Sequence, residues 1–216
     1  MDGIVAVAVG FLLTAVVMAI RIWLVLRRYN RCLPGKKGAV SLLVVAGSGG
    51  HTTEILRLLG SLSKCYTPTH YVIAETDKMS EDKIKCFESS RPTGVCKHLY
   101  SIYRIPRSRE VRQSWCSSFF TTLRSILYSF PLTTRVQPDV ILCNGPGTCV
   151  PVCLSALLLG IFGIKKIIVI YVESICRVES LSLSGRILYY FSDYFIVQWP
   201  SLKEKYPNSI YLGRIV

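Results

Sequence analysis

His51 closes a glycine-lined loop, which joins a side chain able to carry a proton near neutral pH to a backbone suited to holding an anion. The loop lies in Ser41–Glu54, read S-L-L-V-V-A-G-S-G-G-H-T-T-E. Gly47, Gly49 and Gly50 let the backbone turn tightly and approach a ligand where a Cβ would intrude. Ile55, Leu58, Leu59 and Leu62 follow at helical spacing, so the loop opens a helix whose unpaired N–H groups attract phosphate. Gly47, Ser48, Gly49, Gly50 and Thr52 are therefore the candidate diphosphate contacts of this turn. A glycine turn also joins strand to helix where no ligand binds, and a histidine at a helix start can simply bond backbone. A dinucleotide fingerprint fits poorly: Thr52 stands where glycine or alanine is needed, and Glu75 and Asp77 lie too far along the chain.

A second turn, Asn144-Gly145-Pro146-Gly147-Thr148, also follows a strand and opens a helix. Asn144, Gly145, Gly147 and Thr148 are candidates for the other side of a diphosphate. Glu173 ends a third strand and is either a functional carboxylate or the partner of Arg177. A further strand ends in the basic Arg104, Arg107 and Arg109, and the basic loop follows Ile105. Each of the four loops follows a strand, so all four can face one crevice.

The elements that must position them alternate along the chain. Strands are expected at Leu42–Ala46, His70–Glu75, Leu99–Ile105, Val140–Cys143, Lys166–Val172, Tyr194–Gln198 and Ile210–Leu212. Ser80 is expected to cap a short helix to Phe87, Glu88–Lys97 to be a loop, and Val111–Phe130 to be a helix closed by Pro131. Further helices are expected at Thr148–Phe162, Ser184–Phe191 and Pro200–Lys205. Repeated βα units predict an α/β fold, a Rossmann-like doubly wound parallel sheet with its site at the carboxyl ends of the strands. Trp115, Phe119, Leu123, Ile126, Leu127 and Phe130 line one side of the long helix, with Arg109, Arg112 and Arg124 nearby. That stripe reads first as core, and otherwise as a surface lying in a membrane interface.

Gly3–Ile20 carries no charge, and Ile22–Leu26 extends the apolar run past Arg21. That length suits an uncleaved span of a hydrocarbon layer about 30 Å thick. Arg27, Arg28, Arg31, Lys36 and Lys37 follow it and only Asp2 precedes it, so the remainder is expected in the cytosol. The expected division is an anchor and basic linker over 1–37 and one domain over 38–216. The first 37 residues hold six basic and one acidic residue, leaving 20 basic and 12 acidic in the domain, a net +8. Beside a membrane, that charge points to lipid or a lipid-linked phosphate rather than nucleic acid. Nine cysteines are scattered without a C-x-x-C pair, which fits free thiols in a reducing compartment and no metal site.

V-V-A-G-S-G-G-H-T-T-E, N-G-P-G-T, V-E-S-I-C-R-V and the terminal Y-L-G-R-I-V together resemble the family of membrane-anchored subunits of the eukaryotic UDP-GlcNAc transferase for dolichol-linked oligosaccharides. That family is similar to the N-terminal half of bacterial GlcNAc transferases that build a lipid-linked cell-wall precursor. The resemblance implies half of a GT-B enzyme, the half that holds the lipid-diphosphate acceptor. A separate cytosolic subunit would supply the UDP-GlcNAc-binding half, and the pair would add the second GlcNAc to dolichyl-diphosphate-GlcNAc on the cytosolic face of the endoplasmic reticulum. No cofactor is implied. The bacterial G-G-T-G-G-H loop falls on Gly47–His51, with Ala46 at its first glycine, and the second glycine loop on Gly145–Thr148. The bacterial H-E-x-N matches only at Glu173, since Val172 and Ile175 replace its histidine and asparagine. By this match His51 is the candidate base, with Glu173 a rival base or an orienting group. Leu212, Arg214, Ile215 and Val216, an apolar ending, are expected at the partner subunit unless they pack in their own sheet. A scaffold that only recruits the partner is the alternative.

Overall fold

A computed structural model describes residues 2–26, 38–63, 65–91, 99–109 and 113–216. The expected linker over 27–37, Arg112 and most of the expected 88–97 loop lie outside the described residues. The strands are β1 (Leu42–Val45), β2 (Thr69–Ala74), β3 (Tyr100–Ile105), β4 (Val140–Asn144), β5 (Ile168–Val172), β6 (Tyr194–Val197) and β7 (Ile210–Tyr211). All pair in parallel, in the order β3-β2-β1-β4-β5-β6-β7. The chain starts at β1 and winds outward in both directions, so β1 and β4 flank the switch point where such sheets open a crevice.

The apolar run of β1 serves both faces. Leu43 and Val45 enter the core on one side of the sheet, Leu42 and Val44 the core on the other, as the two-residue period of a strand requires. Helices α2 (Gly50–Gly60) and α3 (Lys78–Ser90) cover the second side. Helices α5 (Cys149–Ile161) and α6 (Leu183–Leu188), with the short α7 (Pro200–Lys205), cover the first, and α4 (Trp115–Val136) packs beside α5. The thiols of Cys143, Cys149 and Cys153 are buried in that core, where burial pushes those of Cys143 and Cys149 up and keeps them protonated.

Three expectations are corrected. Asp77, not Ser80, caps α3, accepting from the Ser80 N–H at 3.1 Å, because an aspartate at the N-cap reaches the N–H three residues on. Pro131 does not close α4, which runs five residues further to Val136. The helical bond that the proline removes would run to the carbonyl of Leu127, on the exposed side of the helix. The α4 stripe is also core only in part: Phe130 packs on the core and Ile126 is half-buried. Phe119, Phe120, Leu123 and Leu127 face outward, while Ser118, Ser125, Ser129 and Thr133 are buried. The hydroxyls of Ser125 and Thr133 bond the carbonyls of Pro106 and Ser129, so the small side chains can sit inward.

Helix α1 (Asp2–Leu26) rests its end on α5: Gly160 leaves room for Val25, and the Arg21 guanidinium lies over Gly163, just past the end of α5. Val5, Phe11, Leu12 and Trp23 are exposed. Among the described residues no helix is long and apolar enough to cross a membrane.

Candidate functional site

The two glycine turns meet at the switch point. Gly49 takes φ 70° and ψ −121°, a backbone state that only glycine adopts without strain, and so starts α2. No side chain caps α2, which leaves its first N–H groups directed at the crevice. The second turn is arranged differently. The Cys149 and Val150 N–H groups bond the carbonyls of Pro146 and Gly147 at 3.0 and 3.2 Å, and Gly147 packs against the Ser108 hydroxyl. Thr148 is buried without a capping bond. The Cys149 and Val150 N–H groups are thus engaged within the second turn, whereas no side chain caps the first.

Below that turn lies a polar support. Thr52 is fully buried, and its hydroxyl bonds both the Gly47 carbonyl and Ser80 Oγ; Ser80 Oγ also donates to Asp77 at 2.6 Å. The Thr52 side chain therefore holds the loop from beneath and does not face a ligand. Lys83 Nζ donates to the Gly49 carbonyl at 3.3 Å.

A crevice of about 450 Å³ opens above, lined by Ser48, Gly50, His51 and Glu54 from the first turn and α2, by Gly145, and by Glu173, Ser174, Cys176, Arg177 and Ser182 after β5. Three of the four expected loops thus meet. The basic loop after β3 does not line it: Arg104 turns away to pair with Glu81, and Ser108 only backs the second turn.

The His51 ring lies against Gly145, where an added Cβ would stand 2.5 Å from Cε1. Its Nδ1 sits 3.3 Å from Asn144 Oδ1. Asn144 is fully buried, and its side chain reaches His51 and Glu54 rather than open crevice. Glu173 is also fully buried. Its carboxylate accepts from the Ser182 N–H and hydroxyl, both at 3.1 Å, and from the Ser174 N–H at 3.2 Å. Those serines, rather than an ion pair with Arg177, satisfy it. Burial pushes its carboxyl up, and the bonds from Ser182 and Ser174 pull it partly back. A carboxylate so engaged shapes the β5–α6 loop more readily than it takes a proton from a substrate.

At the far edge, Arg214 stacks on Trp199 at 4.4 Å, and the Ile215 N–H bonds Gln198 Oε1 while its side chain packs on the core. Val216 is half-buried, whereas Tyr211 and Leu212 point outward. Ile215 and Arg214 are thus held by this domain.

Glu54 and Ser174 are site residues that motif matching did not single out. Glu54 lies three residues past His51 on α2, hence on the same face of the helix, and that spacing was the available signal.

Gly49→Val tests the first turn. Open space surrounds Gly49, so the cost is backbone strain at the first N–H groups of α2, not a clash. The acceptor KM should rise about tenfold or more, with kcat less affected; an unchanged KM in a steady-state assay would show that the turn does not hold the acceptor.

The sheet order and the crevice at its switch point define a Rossmann-like domain. The family model described as "Oligosaccharide biosynthesis protein Alg14 like" matches residues 42–215, and the chain belongs to that family. The human UDP-N-acetylglucosamine transferase subunit ALG14 is 65% identical over 205 residues, 94% of each chain. The subunit of the same name from Schizosaccharomyces pombe is 43% identical over 209 residues, 94% of this chain and 97% of that one. The crystal structure of Acinetobacter baumannii MurG is similar in fold, with a TM-score of 0.57 at 17% identity. The match covers 82% of this chain but only 44% of MurG, so the chain spans less than half of that structure.

Proposed function

We propose that this chain is the acceptor-binding, membrane-anchoring subunit of a heteromeric UDP-GlcNAc transferase that adds the second GlcNAc to dolichyl-diphosphate-GlcNAc. Family membership and the relatives' names support the transferase assignment. The observation that carries the site is His51 beside an uncapped, glycine-lined helix start in an open crevice. The diphosphate would lie on the first N–H groups of α2, which favour negative charge. The acceptor's 4-hydroxyl would attack the anomeric carbon of UDP-GlcNAc held by the partner subunit. As the new C–O bond forms and UDP leaves, His51 would take the hydroxyl proton. Glu173 would hold the β5–α6 wall rather than act as base.

The same reading makes α1 a single membrane span, with the domain on the cytosolic face of the endoplasmic reticulum. Its apolar sequence, charged only at Asp2 and Arg21, and the basic residues after it support this. The outward aromatic face of α4 adds support: Phe119, Phe120 and Leu127 are each about two-thirds exposed, and α4 lies beside the helix that holds α1. On the partner side, the outward Tyr211 and Leu212 are the expected contacts.

Two measurements test the assignment. Turnover of a short lipid-diphosphate acceptor by the purified full-length chain should require the cytosolic subunit, and equal turnover without the partner would reject the two-subunit reading. Protease added to sealed microsomes should digest residues 38–216; their protection would reject the topology.

A further inference from the structure

We propose that Glu54 is a positioning residue that, acting through Asn144, fixes which ring nitrogen of His51 carries the proton. The significance of this for turnover rests on the reading of His51 as base. The Glu54 carboxylate bridges two loops: its Oε2 accepts from Asn144 Nδ2 at 2.9 Å, and its Oε1 from the Ser174 hydroxyl at 2.8 Å. A carboxylate only accepts, so it holds the NH₂ end of the Asn144 amide towards itself. The Val172 carbonyl, 3.5 Å from the same nitrogen, acts in the same sense. Asn144 Oδ1 must then face His51 Nδ1, and an amide oxygen also only accepts. His51 is thereby held with the proton on Nδ1, leaving the lone pair on Nε2 to receive a substrate proton.

The ring cannot readily escape this arrangement, because Gly145 lets it lie flush against the second turn. Full burial of Asn144 keeps water from competing for its amide. When His51 takes the proton, the Glu54 charge stabilises the imidazolium through the amide. The other ionisable groups around the crevice are Arg177, Cys176 and Glu173 after β5, and Lys83 of α3, which donates to Gly49 and Thr53. Among the described residues, none of these hydrogen-bonds the His51 ring.

The test uses the full-length chain with its partner subunit, as wild type, Glu54→Ala and Glu54→Gln. Glu54→Ala should lower kcat by ~10- to 10²-fold with KM changed by no more than about twofold. Glu54→Gln, whose amide carbonyl can still accept from Asn144, should retain more of the rate and guards against misfolding of the alanine variant. With only three histidines in the chain, ring ¹⁵N shifts of selectively labelled protein can report the His51 tautomer directly. Wild type should show the Nδ1–H form and Glu54→Ala a mixture. An Nε2–H form in wild type, or an unchanged tautomer in folded Glu54→Ala, would overturn the proposal. If the tautomer responds to Glu54 while His51→Ala turns over normally, the positioning stands and the base assignment fails.

Discussion

His51→Ala should cut kcat by at least ~10²-fold while leaving membrane insertion, partner recruitment and thermal stability close to wild type. The ring is half-buried at the crevice, and its one side-chain bond among the described residues, to Asn144, is long. Little folding energy therefore depends on it. A general base acts only as the proton moves, so its removal should lower kcat and kcat/KM together with small change in KM. Single-turnover kinetics with a saturating short-chain acceptor would separate this from slow product release. Normal turnover would move the base elsewhere, and normal turnover of every crevice variant would leave the chain a scaffold.

Glu173→Ala should behave in the opposite way, costing about 3 kcal/mol of stability and lowering Tm by roughly 6–12 °C, with turnover by the folded fraction within a few-fold of wild type. Alanine leaves the buried N–H groups of Ser182 and Ser174 without their acceptor. Gly185 shows how closely that pocket is built, since a Cβ there would strike Glu173 Oε2. The pH dependence is a second readout. Burial raises the folded-state pKa of Glu173, so its favourable contribution is full below the unfolded value near ~4.3 and is lost as pH rises through the folded value. The deficit of Glu173→Ala should therefore widen as pH falls, as thermal melts across the acidic range would show. A large kcat loss with unchanged Tm would return Glu173 to a catalytic role.

Much of this arrangement is legible in the residues alone. Short apolar runs ending in glycine turns place β1 and β4, and the alternation of strand and helix implies the parallel winding. The glycines and His51 are local signals, because each is needed for what the backbone does within a few residues. The long helix departs from the expected core stripe because aromatic residues suggest burial, whereas here small serine and threonine side chains take the inner face, with the hydroxyls of Ser125 and Thr133 bonded to nearby carbonyls. The Glu54 network was hidden for a different reason. Its partners Asn144 and Ser174 lie 90 and 120 residues away, and only the sheet order brings them together. Partnership of that kind has no periodicity to detect.

The contacts between the two turns carry a consequence for inheritance. Gly47 leaves room for the Pro146 ring, while Gly145 leaves room for the His51 ring, so each turn supplies the socket for the other's side chain. Neither motif can then drift alone. Enlarging residue 47 should be tolerated only alongside a smaller residue at 146, and paired substitutions across the two turns should depart from the sum of the single effects. The two stretches, nearly a hundred positions apart in the chain, would vary between lineages as one unit.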